Sequence, residues 1–318
     1  MSGSASAAIA ATLASAPAVT ICCHVRPDAD TIGSGLALGL ALERRGVDVE
    51  VAYPGPEKLP ESLAGLPGAG LLRDPGRLAG HPVVVAVDAA NLGRLDELGE
   101  VFTGAETSIA IDHHASNPGF GDIDLVDPSA DCTAVLVLEV LDALGVELDA
   151  EIATCVYAGL TTDTGSFRWA RPDSFRIAAR LLETGVDSRR WSRILFDSHP
   201  FEWFSMMSGV LASAKLVPSA CNGAGLVYAI VDQKALAGMS WEESESVVDT
   251  IRTARDAEVA AVFKENQPGM WTVSLRSKDA VDLVPIARAH GGGGHRQASG
   301  YSDTGTAEEV VARLLESL

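Results

Sequence analysis

The feature that most constrains this chain is a repeated coupling: short apolar runs, rich in β-branched residues, each break off into Asp and His. Residues 19–24 read VTICCH and are followed by Asp28 and Asp30; residues 83–87, VVVAV, lead into Asp88; residues 108–111, SIAI, lead into Asp112, His113 and His114. Runs of this length and composition read as strands buried on both faces, the environment of a parallel sheet between helices. Helical periodicity at 31–45 and a further strand at 47–53 complete a strand–helix–strand alternation. That alternation selects an α/β fold, in which ligands bind beyond the C-terminal strand ends.

The pattern changes along the chain. A Pro/Gly-rich passage at 54–80 interrupts it, and beyond 127 it turns helical, at 130–144, 152–160, 174–184 and from 188 to about 215. After 218 a second alternation begins: strands at 225–231, 258–263 and 271–275, a helix at 242–255 and another ending near His290. At 318 residues the chain exceeds the size at which one core stops growing, so two domains are expected. The expected organisation is a parallel-sheet domain with helices on both faces over residues 1–190, a helical linker over 191–221, and a smaller α/β domain over 222–318.

Composition removes several classes of function. With 47% hydrophobic and 21% charged residues the chain reads as globular, and no run reaches the ~18 to 20 apolar residues of a membrane span. The Ala-rich start lacks the basic n-region of a secretory signal, since no Lys or Arg precedes Arg26, and reads as a surface helix. The five cysteines form no C-x-x-C pair and read as reduced core thiols, so a cytoplasmic protein is expected. A net charge of −19 argues against coating long nucleic acid, though clustered carboxylates carrying cations still admit a small anionic substrate.

Each acid and imidazole has a bland explanation. Asp30 would cap the helix starting at Thr31, Asp88 and Asp163 would form Asx-turns before Asn91 and Gly165, and His24 would be a satisfied core histidine. Together, however, two histidines (24 and 113) and four aspartates (28, 30, 88 and 163) at one sheet edge are electrostatically costly without cations. Imidazole and carboxylate without thiolate suit Mn²⁺ or another moderately hard ion, with Mg²⁺ or Co²⁺ as substitutes. Six ligands are too many for one ion with an open position and suit two, about 3.5 to 4 Å apart.

The segments from His24 to Ser34, Val87-Asp88, Asp112-His113-His114 and Thr162 to Gly165 resemble, in order, the motifs of the DHH phosphoesterase superfamily. The resemblance implies that His24, Asp28 and Asp88 hold one Mn²⁺, that Asp30, Asp88, His113 and Asp163 hold the other, and that Asp88 bridges them. It also implies catalytic roles for His114, facing the substrate phosphate, and for Asp112, orienting the histidine pair.

In the second half, Gly291 to Gly294 lies between His290 and His295 and cannot be helix interior. Consecutive glycine amides can form an anion-binding nest, to which Arg276, Lys278 and Arg288 would add charge. This region resembles the DHHA1 domain, and the whole chain from about residue 16 is most similar to the nano-RNase A group. That resemblance implies a Mn-dependent phosphodiesterase acting on short oligoribonucleotides and linear or cyclic dinucleotides, and a phosphatase for 3′-phosphoadenosine 5′-phosphate. It places Arg276, Ser277, Gly292, Gly293, Gly294 and His295 on the substrate. The alternatives are a manganese-dependent inorganic pyrophosphatase, whose second domain lacks the glycine run, and a non-catalytic nucleotide-binding regulator, against which the intact ligand set argues. A homodimer is expected, although the apolar stretch 130–144 reads as core in preference to an interface.

Overall fold

The computed structural model describes residues 2–55 and 58–318, which form two compact units that meet in sequence at Ser198 and His199. In the first, strands β1 (Ala18–Cys22), β2 (Asp48–Ala52), β3 (Leu72–Arg73), β4 (Val83–Val87), β5 (Thr107–Asp112) and β6 (Ile123–Val126) make a sheet of order β3-β2-β1-β4-β5-β6. Neighbouring strands pair in parallel. The order reverses between β1 and β4, so their C-terminal ends open a crevice with no strand crossing over it, the usual ligand site of such sheets.

Helices cover both faces, as the sequence predicts. On one lie α1 (Ser2–Ser15), α2 (Ala29–Arg44), α4 (Thr133–Ala143) and α5 (Ala150–Asp163), whose apolar residues, Ile32, Leu36, Leu136 and Val156 among them, join the main core. On the other, α3 (Leu98–Thr103) and the turn before it bring Leu95, Leu98 and Phe102 onto Val84 and Ala86. The N-terminal helix is more than a surface helix: Ile9 and Leu13 are fully buried, because small residues elsewhere on α1 let it lie close to α4. The apolar stretch at 130–144 is core, with Leu136, Val137, Val140 and Leu141 buried. All five cysteines are buried and free, and burial pushes the Cys22 thiol up to about 12.

The axis of this unit is the crossing of α2 and α5. A Cβ on Gly33 would lie 2.3 Å from the Cys155 carbonyl oxygen, and one on Gly159 would lie 2.5 Å from Asp30 Oδ1. Only hydrogen fits at either place, so these glycines set the helix separation and bring the end of α5 beside the start of α2. Helices α6 (Pro172–Glu183) and α7 (Ser188–Phe196) follow.

The continuous helix expected from 188 to 215 is broken at 197–201, where Pro200 removes a backbone donor, and resumes as α8 (Glu202–Ser213). Met206, Met207 and Val210 of α8 pack in the core of the second unit. That unit contains β7 (Lys215–Val217), α9 (Ala220–Gly223), β8 (Leu226–Val231), α10 (Gln233–Leu236), α11 (Glu245–Ile251), β9 (Val259–Gln267), β10 (Met270–Ser277), α12 (Leu283–Ala289), β11 (Gly293–His295), β12 (Ala298–Thr304) and α13 (Ala307–Glu316). Its sheet has the order β11-β12-β10-β9-β8-β7, with β8 and β9 parallel and the other pairs antiparallel. Among the described residues no helix is long and apolar enough to cross a membrane.

Gly159→Ala is expected to cost about 1–3 kcal/mol of stability, the usual penalty for overpacking. Gly3→Ala, where a Cβ meets nothing within 4 Å, should stay within about 0.5 kcal/mol of the parent. Urea denaturation compares the two; equal midpoints would show that the helix crossing is not close-packed.

Candidate metal centre

Four chain segments deliver the acids and imidazoles to the β1/β4 crevice. His24 follows β1 and is buried; its Nδ1–H donates to the Val25 carbonyl at 2.7 Å, which turns the Nε2 lone pair towards Asp28 Oδ2 (3.5 Å) and Asp88 Oδ2 (3.3 Å). Asp28, not Asp30, caps α2: its Oδ1 accepts the amides of Asp30 and Thr31, both at 3.0 Å, leaving Oδ2 for His24. The capping role expected of Asp30 is therefore filled two residues earlier. Asp30 itself is fully buried and accepts the Thr133 and Ala134 amides at 2.7 and 2.9 Å, so it holds the N-terminus of α4 instead.

Asp88 leaves β4 with φ 61, a left-handed conformation unusual outside glycine, while its N–H still donates to Ile111 O at 2.9 Å. That turn aims the carboxylate into the crevice. Oδ2 faces His24, whereas Oδ1 accepts Thr133 Oγ1–H at 2.8 Å and lies 3.7 Å from His113 Nε2. His113 continues β5; its Nδ1 lies 3.3 Å from the Ala130 carbonyl, and Nε2 faces Asp163 Oδ2 at 3.3 Å and Asp30 Oδ2 at 4.0 Å. Asp163 is the last residue of α5, brought there by the glycine crossing, and the Asx-turn offered as its bland role is absent, since Gly165 N–H bonds to Thr162 O.

The donors thus divide into His24, Asp28 and Asp88 on one side and Asp30, His113 and Asp163 on the other, with donor atoms in each trio within 4.8 Å of one another. Such separations suit ligands sharing one ion at about 2 Å. The two oxygens of Asp88 face one trio each.

Electrostatics favour a bound cation. Burial, and then the charge of Asp28, raise the Asp30 carboxyl to about 6; burial, Asp30 and Asp28 raise Asp88 well above the carboxylate range. Burial and the adjacent His114 hold His113 down at about 4, neutral and able to ligate. His114 behaves oppositely: burial resists its protonation, but Asp112 outweighs this and raises it. His114 Nδ1 lies 2.7 Å from Asp112 Oδ1, and the other Asp112 oxygen accepts Asn117 Nδ2–H, also at 2.7 Å.

Asn117 and Thr133 were missed from sequence, as was the part Thr31 plays in tying strand ends. Thr31 Oγ1 links the two central strand ends, donating to Val87 O at 3.0 Å while accepting His24 N–H at 3.2 Å. Arg94, whose Nη2 lies 3.1 Å from His24 Nδ1, sets a positive charge behind that imidazole. None of the four shows a sequence signal beyond proximity to a strand end.

In the second unit, Arg276 on β10 and His295 on β11 both pair with Ala298 of β12. Directly opposed residues share a face, so Arg276 and His295 stand in line across one side of the sheet, about 10 Å apart, with a small residue between. Ser277 Oγ–H donates to Glu258 Oε1 at 3.0 Å, and Lys278 Nζ–H to Ala254 O at 2.6 Å. The nest of four free amides expected in the glycine run is not formed. Gly291 and Gly292 donate to Arg288 O and Ala287 O, and Gly293 and Gly294 lie in the β11–β12 ladder. A Cβ on Gly292 would sit 2.1 Å from Gly300 O and one on Gly294, at φ 134, 2.5 Å from Ala298 O, so close strand packing accounts for these glycines.

A raised carboxyl binds its proton more tightly in the folded chain, so without cations Asp30 lowers stability as pH rises from about 4 to about 6. A divalent ion relieves that penalty only where the carboxyl is ionised. At a hundredfold excess over Kd, Mn²⁺ should raise Tm by about 5–10 °C at pH 7.5 and progressively less as pH falls through 6. A pH-independent increment in calorimetric scans would contradict this.

The same architecture is found in known proteins. Residues 18–160 match the DHH family, N-terminal domain, and residues 223–318 match the DHHA1 domain. The chain is 37% identical over 306 residues, 94% of its length and 89% of the relative's, to the bifunctional oligoribonuclease and PAP phosphatase NrnA of Thermus thermophilus. It is 28% identical, over 93% of both chains, to the probable bifunctional oligoribonuclease and PAP phosphatase NrnA of Streptococcus mutans. A crystal structure of an exopolyphosphatase-related protein from Bacteroides fragilis superposes with TM-score 0.85 at 25% identity, covering 99% of this chain and 95% of that one. The chain therefore belongs to the DHH phosphoesterase family, in the arrangement that carries a DHHA1 domain, and is a hydrolase of phosphoester bonds.

Proposed function

We propose that the protein is a two-metal, Mn²⁺-dependent phosphodiesterase that cuts short oligoribonucleotides and linear dinucleotides to mononucleotides, with 3′-phosphoadenosine 5′-phosphate as a second substrate. The observation that carries the two-metal reading is the Asp88 carboxylate, one oxygen facing His24 and the other His113. The choice of phosphoester is supported by the activities in the names of the T. thermophilus and S. mutans relatives.

Under this reading His24, Asp28 and Asp88 hold one ion, and Asp30, Asp88, His113 and Asp163 the other. Such ions, when bound, neutralise the crowded carboxylates, polarise phosphoryl oxygens and draw the pKa of a bound water towards neutrality. The chain's own groups do the rest. His114, whose proton affinity Asp112 raises, would in its protonated form offer Nε2–H as a donor to a phosphoryl oxygen or as general acid to the leaving oxygen. Asn117 fixes the Asp112 carboxylate, so the imidazole keeps one orientation. In the second unit Arg276 and His295, aligned across the sheet, are proposed to bind substrate phosphate, with Ser277 at the end of β10 and Gly292 to Gly294 at the start of β11 beside them.

With Mn²⁺, the purified protein should convert 5′-phosphorylated diadenylate and diguanylate to mononucleotides. Asp88→Ala and His113→Ala should abolish turnover, and His114→Ala should lower kcat by about 10²–10⁴. Product chromatography beside cyclic di-adenylate, 3′-phosphoadenosine 5′-phosphate and pyrophosphate ranks the substrates. Intact dinucleotide with cleaved pyrophosphate would overturn the reading in favour of a pyrophosphatase.

A further inference from the structure

Trp169 is a large apolar side chain left 47% exposed, six residues beyond Asp163. An isolated exposed aromatic needs no explanation, but this one is held in place. Its indole Nε1–H donates to the Asp163 carbonyl at 2.7 Å and its backbone N–H to Thr164 O at 3.4 Å. Gly165, Ser166 and Phe167 take φ of 54, 58 and 65, so three consecutive left-handed residues fold the chain back on itself. The ring comes to rest on Gly165, where a Cβ would lie 2.1 Å from Trp169 Cη2, so any larger residue there would displace it. Behind it, Phe167 packs on Phe175 and Tyr157 with ring centroids 5.5 and 6.3 Å away.

The turn therefore uses strained backbone and the one polar atom of the indole to fix an exposed ring to a residue whose carboxylate lies 3.3 Å from His113. Strain of this kind persists where surrounding structure over-determines it. A nucleotide sets its base one sugar's breadth from its phosphate, and a fixed aromatic face held by the backbone of Asp163, a residue of the centre, suits a base of any sequence.

We propose that Trp169 is a nucleobase-stacking platform, binding the base of the nucleotide whose phosphate lies at the His113–Asp163 side of the centre; this rests on the nucleotide-hydrolase reading above. The platform reads the presence of a base and not its identity, since every base offers a π face. It gives the first unit a base-binding element of its own.

The test compares the parent with Trp169→Ala and Trp169→Phe in calorimetric binding of AMP and of its base-free counterpart, ribose 5-phosphate, with Mn²⁺ present. Trp169→Ala should weaken AMP about tenfold and leave ribose 5-phosphate unchanged, while Trp169→Phe, which loses the indole N–H but keeps a ring, should stay within about threefold of the parent. Equal losses for both ligands would mean that Trp169 only positions Asp163 and would overturn the proposal. Unchanged AMP affinity in Trp169→Ala, or a parent that binds AMP no better than ribose 5-phosphate or binds neither, would overturn it too. Because these readings need no turnover, a Trp169-dependent preference for AMP in a protein that leaves dinucleotides intact would refute the dinucleotide-phosphodiesterase reading while preserving the platform.

Discussion

The Asp88 carboxylate is the interaction on which the rest of the site depends. It is buried within reach of His24 on one side and His113 on the other, and it tolerates Asp28 and Asp30 nearby only at the cost of a strongly raised pKa. Crowding of this kind is stable when positive charge is delivered between the carboxylates. The fold creates the crowding by topology: β1 and β4 are neighbours whose following connections lead to opposite sides, so their ends converge where no connection covers them. The left-handed φ of Asp88 then turns its carboxylate into the gap, where an extended residue would have continued the strand.

Around this point the chain commits main-chain and side-chain donors to holding the acids still. The start of α4 does so twice, with the Thr133 and Ala134 amides on Asp30 and the Thr133 hydroxyl on Asp88. Thr31 ties the ends of β1 and β4, and Asn117 with Asp112 fixes His114. Each bond restricts a rotamer that would otherwise have to be ordered when cations and substrate arrive, which is how preorganisation lowers the barrier to catalysis. The Gly33/Gly159 crossing plays the same part at the scale of helices, setting the distance from Asp30 to Asp163.

The strands that carry the site were legible because they are buried on both faces and therefore continuously apolar, and the acids at their ends broke that pattern sharply. The ligand trios were legible only in combination; singly, Asp30 looked like a cap, and the cap proved to be Asp28. Strands β6 and β12 were not anticipated, since Ile123–Val126 is only four residues long and Ala298–Thr304 is mostly small and polar, so neither stands out from loop. The glycine run was misread as an amide nest because composition cannot distinguish glycines needed for ligand approach from glycines needed for strand packing. Thr133, Asn117 and Trp169 were invisible for a related reason: each acts through a neighbour that only the folded backbone brings close.

The central claim, a carboxylate shared between two cation sites, is tested most directly by anomalous diffraction from crystals soaked in Mn²⁺. Two peaks are expected, one among His24, Asp28 and Asp88 and one among Asp30, Asp88, His113 and Asp163, with an oxygen of Asp88 ligating each ion. A single peak, or two peaks with Asp88 bound to only one, would contradict the account.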